Sequence, residues 1–299
     1  MKKTILLFVC TAILLVSLSG CAGSTEESIP FKDYDHTPTL LGKPDAQLLS
    51  QFDRYAKGLY QTDSLHNRVK PPFPTRNREV LMELLVPALE PNLNKLRLLP
   101  HDELISEIAA FNHRVYRALW GSDFYRWGGD IFDLDDPQPE GIGAEKMFGL
   151  DCSGFTTAPY EIAVHLGLLK AEQTVFASQG YRLFCERTGF VDGGALDGGS
   201  NRYRLDTREL DQLGRELFRI EKGSQPTEAQ IKMLRGGDIV GRNGHFGIII
   251  VLEGEPYFIE SGGWVCHRVD GLPVHARNAL EIFARNGYLT IRRCLEMND

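Results

Sequence analysis

Apolar positions in the first half of the chain recur mainly at steps of three and four. The clearest run lies between residues 104 and 119, where this spacing places the apolar side chains on one face of a helix. Asp102 precedes the run and is a suitable N-cap. Gln47–Tyr60 and Arg78–Leu89 have the same period more weakly, because prolines interrupt this region. The apolar positions of the clearest run are Leu104, Ile108, Phe111, Val115 and Leu119.

The second half of the chain changes from a helical to a strand-like pattern. A mostly apolar stretch that ends at Leu169 predicts one more helix, and the polar stretch 170–236 follows it. Because 170–236 contains the glycine-rich run Asp192–Ser200, we expect a lid or an inserted subdomain there. Helices followed by a meander of strands predict an α+β fold. The predicted strands are Asp238–Val240, Phe246–Leu252, Tyr257–Ser261 and Tyr288–Leu295, with a helix-like Val274–Asn286 before the last.

The N-terminus has the pattern of an export signal. Two lysines precede the apolar run Ile5–Leu18, which is short for a bilayer span and ends in small residues. Leu18-Ser19-Gly20-Cys21 resembles the bacterial lipobox, in which the cysteine is acylated and becomes the first residue of the mature protein. We therefore expect residues 1–20 to be removed and Cys21 to carry a lipid. The alternative is an ordinary signal peptide that is cleaved a few residues later.

A lipid on Cys21 would anchor the exported protein to a membrane. Ala22 stands where an aspartate is typical of inner-membrane retention, so in a Gram-negative cell we expect the periplasmic face of the outer membrane. Residues 22–44 are rich in Ser, Thr, Glu, Pro and Gly and lack an apolar period. We expect a flexible tether at 21–44 and a helical N-terminal region at 45–102.

The charge balance excludes one class of partner. Removing Lys2 and Lys3 with the signal takes the formal net charge from -7 to -9. A chain this acidic repels phosphate backbones, so we expect no nucleic-acid partner.

Cys152 has surroundings that favour a reactive thiol. Asp151-Cys152-Ser153-Gly154-Phe155 precedes the apolar stretch to Leu169, which places Cys152 at or just before a helix N-terminus. The unpaired backbone N–H groups and the helix dipole favour a thiolate there. Without a partner, a small buried core cysteine is the simpler explanation. If Cys152 stays a free thiol, at most one disulfide can form among Cys185, Cys266 and Cys294, and the sequence does not choose it.

A histidine base is available at the start of a predicted strand, in Gly244-His245-Phe246-Gly247-Ile248. The flanking glycines allow another backbone to approach closely. Glu260, on the next predicted strand, returns beside His245 if the turn centres near Leu252 and Glu253. Its carboxylate would then orient the imidazole. The alternative for Glu260 is a surface charge on an edge strand.

Three motifs, taken in order, resemble those of the NlpC/p-sixty family of cell-wall cysteine peptidases. The resemblance covers about residues 103–169 and 236–295, more than half of the mature chain. It implies a papain-like α+β core, in which a nucleophile helix packs on an antiparallel sheet, within a catalytic domain at 103–299 that carries 170–236 as an insertion. The motifs are Tyr125-Arg126-Trp127-Gly128-Gly129, Asp151-Cys152-Ser153-Gly154-Phe155, and Gly237-Asp238-Ile239-Val240 with Gly244-His245-Phe246-Gly247-Ile248.

The resemblance implies an activity on peptidoglycan stem peptides, at the amide bond between D-γ-glutamyl and a diamino acid. Cys152 matches the nucleophile and His245 the base. Glu260 matches the third polar position, where many members have a histidine. The carboxylate is therefore a departure, and it should make His245 more basic than a neutral partner would.

Four further residues are candidates for binding substrate. Tyr125, Asp151 and Ser153 match positions that line the family's substrate pocket, and the Tyr125 hydroxyl would help to hold the oxyanion. Trp127 lies in the same glycine-rich motif, where aromatic rings could form the wall of a narrow cleft. We expect no metal and no organic cofactor, because the histidines lack the short spacings of a zinc site.

Two other functions stay open on the sequence. The same fold could act as an amidase or acyltransferase on another amide or ester. The protein could also be a catalytically silent lipoprotein that binds wall fragments or a partner. Iodoacetamide labelling distinguishes a catalytically silent protein from an enzyme, because in the silent protein Cys152 would react no faster than the other thiols.

Overall fold

Helices packed on an antiparallel sheet form the described part of the chain, an α+β arrangement as the sequence predicts. None of the helices described is long and apolar enough to cross a membrane. The computed structural model describes residues 28–59, 61–62, 68–69, 84–118, 150–192, 203, 205–242, 244–261 and 265–294.

The helix with the clearest apolar period is the long α3, and its predicted face is buried. Leu104, Ile108 and Val115 are each at most 3% exposed. The helix begins at His101, so Asp102 lies in its first turn and is not its N-cap. The helices are α1 (Ala46–Leu59), α2 (Leu93–Leu96), α3 (His101–Ala118), α4 (Cys152–His165), α5 (Ser178–Thr188), α6 (Thr207–Leu210), α7 (Glu228–Met233) and α8 (Ala276–Ala284), with 3-10 turns at Glu90–Asn92, Ala171–Gln173 and Cys266–Val269.

The main sheet has the strand order β3-β8-β4-β5-β6-β7, and all neighbours are antiparallel. The predicted strands all occur, with ends shifted by at most two residues. The predicted helix at Val274–Asn286 is shorter, because its first two residues pair with β6 as a strand. The strands are β1 (Gln61–Thr62) and β2 (Arg68–Val69), which pair separately, and β3 (Arg215–Ile220), β4 (Ile239–Arg242), β5 (His245–Leu252), β6 (Glu255–Ile259), β7 (Val274–His275) and β8 (Leu289–Arg293).

A two-residue turn joins β5 to β6 and sets their register. Leu252 pairs with Glu255, and Glu253 and Gly254 between them both have positive φ, of 53° and 85°. Two positive φ values in succession are the requirement of a type I′ hairpin, whose twist matches that of the strands.

Strand β5 contributes apolar side chains to two clusters on opposite faces of the sheet, because successive side chains alternate. Phe246, Ile248 and Ile250 pack in one cluster with residues of α3 and α4. Ile249 packs in the other with Phe258 and residues of α8. Helix α4 thus packs against β5, the strand that begins at His245.

Two regions expected to stand apart from the core are packed against it. From residue 28 onward, the expected tether pairs along the edge of the sheet: Pro30 bridges to Val274, and Tyr34 is fully buried with its hydroxyl donating to the Ala110 carbonyl. The polar stretch 170–236 supplies β3 to the main sheet, and its Phe176 is fully buried.

Candidate active site

Cys152 is the first residue of α4, as the sequence predicts. Asp151 is the N-cap: its backbone is extended, and its Oδ1 accepts from the Gly154 N–H and from the Ser153 hydroxyl, each at 2.8 Å. These two bonds fix the start of the helix and satisfy one of its free N–H groups. The thiol therefore lies at the positive end of a 14-residue helix.

Aromatic packing holds the first turn of α4 in place. The ring of Phe155 lies 6.0 Å from the ring of His113 and 5.4 Å from that of Tyr116, both on α3. Cys152 itself is 7% exposed. The thiol is therefore shielded from most solvent but is not sealed in the interior.

His245 is the first residue of β5 and is 3% exposed. Its ring stacks on Phe283 of α8, with ring centroids 5.7 Å apart and planes at 21°. Gly247, next on the same face, leaves room for the ring of Phe258: a Cβ there would lie 2.3 Å from the Phe258 Cζ. The glycine in this motif therefore serves close packing beside the histidine.

Glu260 directly follows β6 and is fully buried. Its Oε2 is hydrogen-bonded to His245 Nε2. Its Oε1 accepts from two backbone N–H groups, those of Val265 and Cys266, the latter at 3.0 Å. Both oxygens are therefore occupied, and the carboxylate has one orientation.

Cys152, His245 and Glu260 form one hydrogen-bonded chain. Burial by itself lowers the pKa of His245, but hydrogen bonds with Cys152 and Glu260 outweigh it and raise that pKa to about 9. Since Glu260 occupies Nε2, Nδ1 is the ring nitrogen left for the thiol. At neutral pH the imidazole is therefore basic enough to hold a proton as an imidazolium.

The other predicted site residues are placed as follows. Asp151 and Ser153 lie beside the thiol, where their described bonds cap α4; a role in binding substrate stays a prediction. Tyr125, Trp127 and Cys21 lie outside the described residues.

The sequence did not point to several residues that shape the site. Phe283 and the backbone of Val265 and Cys266 were missed because they lie far along the chain or act through main-chain atoms. Asp238 was singled out only as part of a motif, and it lies away from the site, beside Ile249 of β5. It is fully buried there and makes a two-pronged ion pair with Arg293, at 2.7 and 2.8 Å. The Asn243-Gly244 pair before His245 is a strong hairpin signal that the prediction of a histidine at a strand start did not use.

Neither metal-type clusters nor disulfides occur among the described residues. No group of three or more His, Cys, Asp or Glu side chains there could hold a metal ion. Each cysteine in these ranges is a free thiol.

Comparison with known proteins gives no match to a protein-family model, to a curated protein or to a solved structure.

Proposed function

We propose that this protein is a cysteine peptidase with a papain-like core that hydrolyses an amide bond in peptidoglycan stem peptides. The favoured bond joins D-γ-glutamyl to a diamino acid, as the three sequence motifs imply. The observation that carries the proposal is the hydrogen-bonded chain of Cys152, His245 and Glu260, with the thiol at a helix N-terminus. A buried core cysteine would need neither the histidine nor the anchored carboxylate.

The hydrogen-bonded side chains of Cys152, His245 and Glu260 are suited to acyl transfer in two steps. The Cys152 thiolate attacks the amide carbon, and the electron pair of the carbonyl moves onto oxygen. When the C–N bond breaks, the His245 imidazolium gives its proton to the leaving nitrogen and a thioester remains on Cys152. A water molecule then gives a proton to His245 and attacks the thioester, which releases the acid and regenerates the thiolate.

The start of α4 is suited to stabilising the oxyanion. The first N–H groups of a helix have no partner within the helix, and the Cys152 N–H is one of them. Such a donor strengthens its bond as negative charge develops on the substrate oxygen. The Tyr125 hydroxyl is the second donor that we propose, on the motif alone.

Glu260 has the role of holding His245, in place of the neutral residue common at that position. A carboxylate stabilises the imidazolium through charge as well as through hydrogen bonding, which agrees with the raised pKa of His245. The export signal and Cys21 would place the enzyme on a membrane that faces the cell wall.

Digestion of purified sacculi by the full mature chain tests the proposal. We expect soluble muropeptides whose masses identify the cleaved amide bond. The Cys152→Ala variant should release none while its circular dichroism and melting temperature stay unchanged. Equal release by the two proteins, or no release by the wild type, would refute the assignment.

A further inference from the structure

A polar cleft of about 560 Å³ lies where the last turn of α3 meets the N-terminal segment. Three positive side chains and two carboxylates line it among the described residues, which leaves a surplus of one positive charge. A positive cleft is unexpected in a chain whose formal net charge is -7. The charged side chains are Lys43, Arg114, Arg117, Asp35 and Asp270.

Arg117 and Asp35 neutralise each other. The Arg117 Nη1 lies 2.5 Å from the Asp35 Oδ1, and its Nε donates to the Asp270 carbonyl at 3.1 Å. This pair therefore forms part of the cleft wall. The charges that remain are Lys43 and Arg114 against the Asp270 carboxylate.

Arg114 is a buried cation that lacks a direct ion pair, although the Glu107 and Asp35 carboxylates act on it through space. It is 5% exposed, and its guanidinium donates only to neutral oxygens, those of Thr39, Gly42, Tyr34 and Thr37. It makes no ion pair with any described residue, and its Nε–H has no acceptor. An unpaired buried charge is costly, so an anion in the cleft that Arg114 lines would be stabilised.

Lys43 supplies an accessible donor to the same cleft. Its side chain is exposed and forms no ion pair within the described ranges. His36, also exposed, lines the cleft as well. A lysine ammonium can move to meet a ligand, whereas Arg114 is fixed by its four acceptors.

The elements that form the cleft also hold the candidate active site. Asp270 directly follows the 3-10 turn whose first residue, Cys266, donates its N–H to Glu260. Arg117 follows Tyr116, which packs against Phe155 in the first turn of α4. The cleft and the candidate active site therefore share two supports, α3 and the 3-10 turn at Cys266–Val269.

We propose that this cleft binds a free α-carboxylate of the peptide substrate. The identity of the peptide rests on the proposed function. A carboxylate carries one negative charge, which matches the surplus of the lining, and a lysine and an arginine bind it by charge-assisted hydrogen bonds. The cleft would then select stem peptides that end in a free acid.

The test is a titration of the inactive Cys152→Ala protein with two synthetic stem tetrapeptides, one with a C-terminal carboxylate and one with a C-terminal carboxamide. We expect the carboxylate form to bind at least about tenfold more tightly, since it alone makes charge-assisted bonds. Adding Lys43→Gln should reduce that preference by roughly fivefold. Lys95→Gln, which removes an exposed lysine outside the cleft, should leave it unchanged.

Equal affinity for the two peptides would overturn the proposal, and so would a preference that Lys43→Gln does not reduce. These results are separate from the peptidase assignment, because the titration uses a protein without the nucleophile. A preference for the carboxylate together with inactive wild-type protein would uphold the cleft and reject the peptidase. Active wild-type protein without a preference for the carboxylate peptide would uphold the peptidase and reject the cleft.

Discussion

At the scale of single residues, Glu260 decides which nitrogen of His245 faces the thiol. Two backbone N–H groups hold the Glu260 Oε1, so Oε2 is the oxygen that faces His245 Nε2. The carboxylate can only accept, so Nε2 carries a hydrogen. Nδ1 is then the nitrogen that we propose takes the proton of Cys152. The tautomer needed for a general base follows from the anchoring of one carboxylate.

Glu260→Gln should abolish most activity although it preserves shape. The amide oxygen would stay with the two backbone donors, so the amide NH₂ would face Nε2 and force it to accept. Nδ1 would then carry the hydrogen and could not take the thiol proton, and we expect kcat/KM to fall by roughly 10³–10⁴-fold. Muropeptide cleavage rates measure this effect, and Glu255→Gln, on the exposed end of β6, is the control. A loss below about tenfold would show that the carboxylate does not set the tautomer.

The raised pKa of His245 predicts a broad neutral plateau of activity. A pKa raised to about 9 means that the imidazolium persists from below the ordinary value of 6.5 up to about 9 and is lost above that. Above about pH 9 the imidazolium is no longer there to protonate the leaving nitrogen. We therefore expect kcat/KM to fall above about pH 9. A pH profile of muropeptide cleavage measures this limb. A fall centred near pH 6.5 would mean that His245 is not held as an imidazolium.

At the scale of elements, the position of Glu260 beside His245 was predictable although the exact register was not. The predicted turn centred on Leu252 and Glu253, and the observed turn is Glu253-Gly254, which shifts the pairing by two residues. A shift of two keeps the same side chains on each face, whereas a shift of one would have reversed them. The prediction that Glu260 lies beside His245 therefore held although the turn was misplaced. Placing Gly254 in the turn, because glycine favours positive φ, would have given the observed turn.

Asp151 should contribute to stability through the cap of α4. Asp151→Ala removes the acceptor for the Gly154 N–H and the Ser153 hydroxyl, so we expect a loss of about 1 kcal/mol in the free energy of unfolding. Asn is an equally good N-cap, so Asp151→Asn should keep most of that stability. Urea unfolding monitored by circular dichroism measures both variants. Equal losses in the two would assign the effect to charge and not to capping.

At the scale of the whole molecule, both edges of the main sheet come from stretches in which the sequence predicted no strand. Strand β3 lies in the polar stretch 170–236 and has the pattern of an edge strand, with charged and half-exposed positions in place of an apolar run. Charges of this kind protect a sheet edge from pairing with other chains, and they also hide the strand from a hydrophobicity pattern. The bridge at Pro30 beside β7 was not predicted for a similar reason, since proline and polar residues are typical of a linker.

The ion pair of Asp238 and Arg293 should be a large single contribution to the stability of the sheet. It joins the loop before β4 to β8, and Asp238 is fully buried. Asp238→Asn leaves the guanidinium without its counter-charge, so we expect a loss of roughly 3 kcal/mol in unfolding free energy. Denaturant unfolding of the single variants and of Asp238→Asn with Arg293→Gln gives the coupling between the two. A coupling near zero would contradict the role of the pair.

The most direct test of the central claim is the rate at which iodoacetamide alkylates each thiol at pH 7, followed by peptide mass spectrometry. Cys294 is the internal reference, because it is half-buried and its sulfur contacts the Gln173 carbonyl and the Thr174 hydroxyl. The proposed ion pair predicts that Cys152 reacts at least roughly tenfold faster than Cys294, because the neighbouring imidazole takes the proton of the thiol. His245→Gln should remove that advantage. If Cys152 reacted no faster than Cys294 in the wild type, it would not be a thiolate, and the peptidase proposal would fail with it.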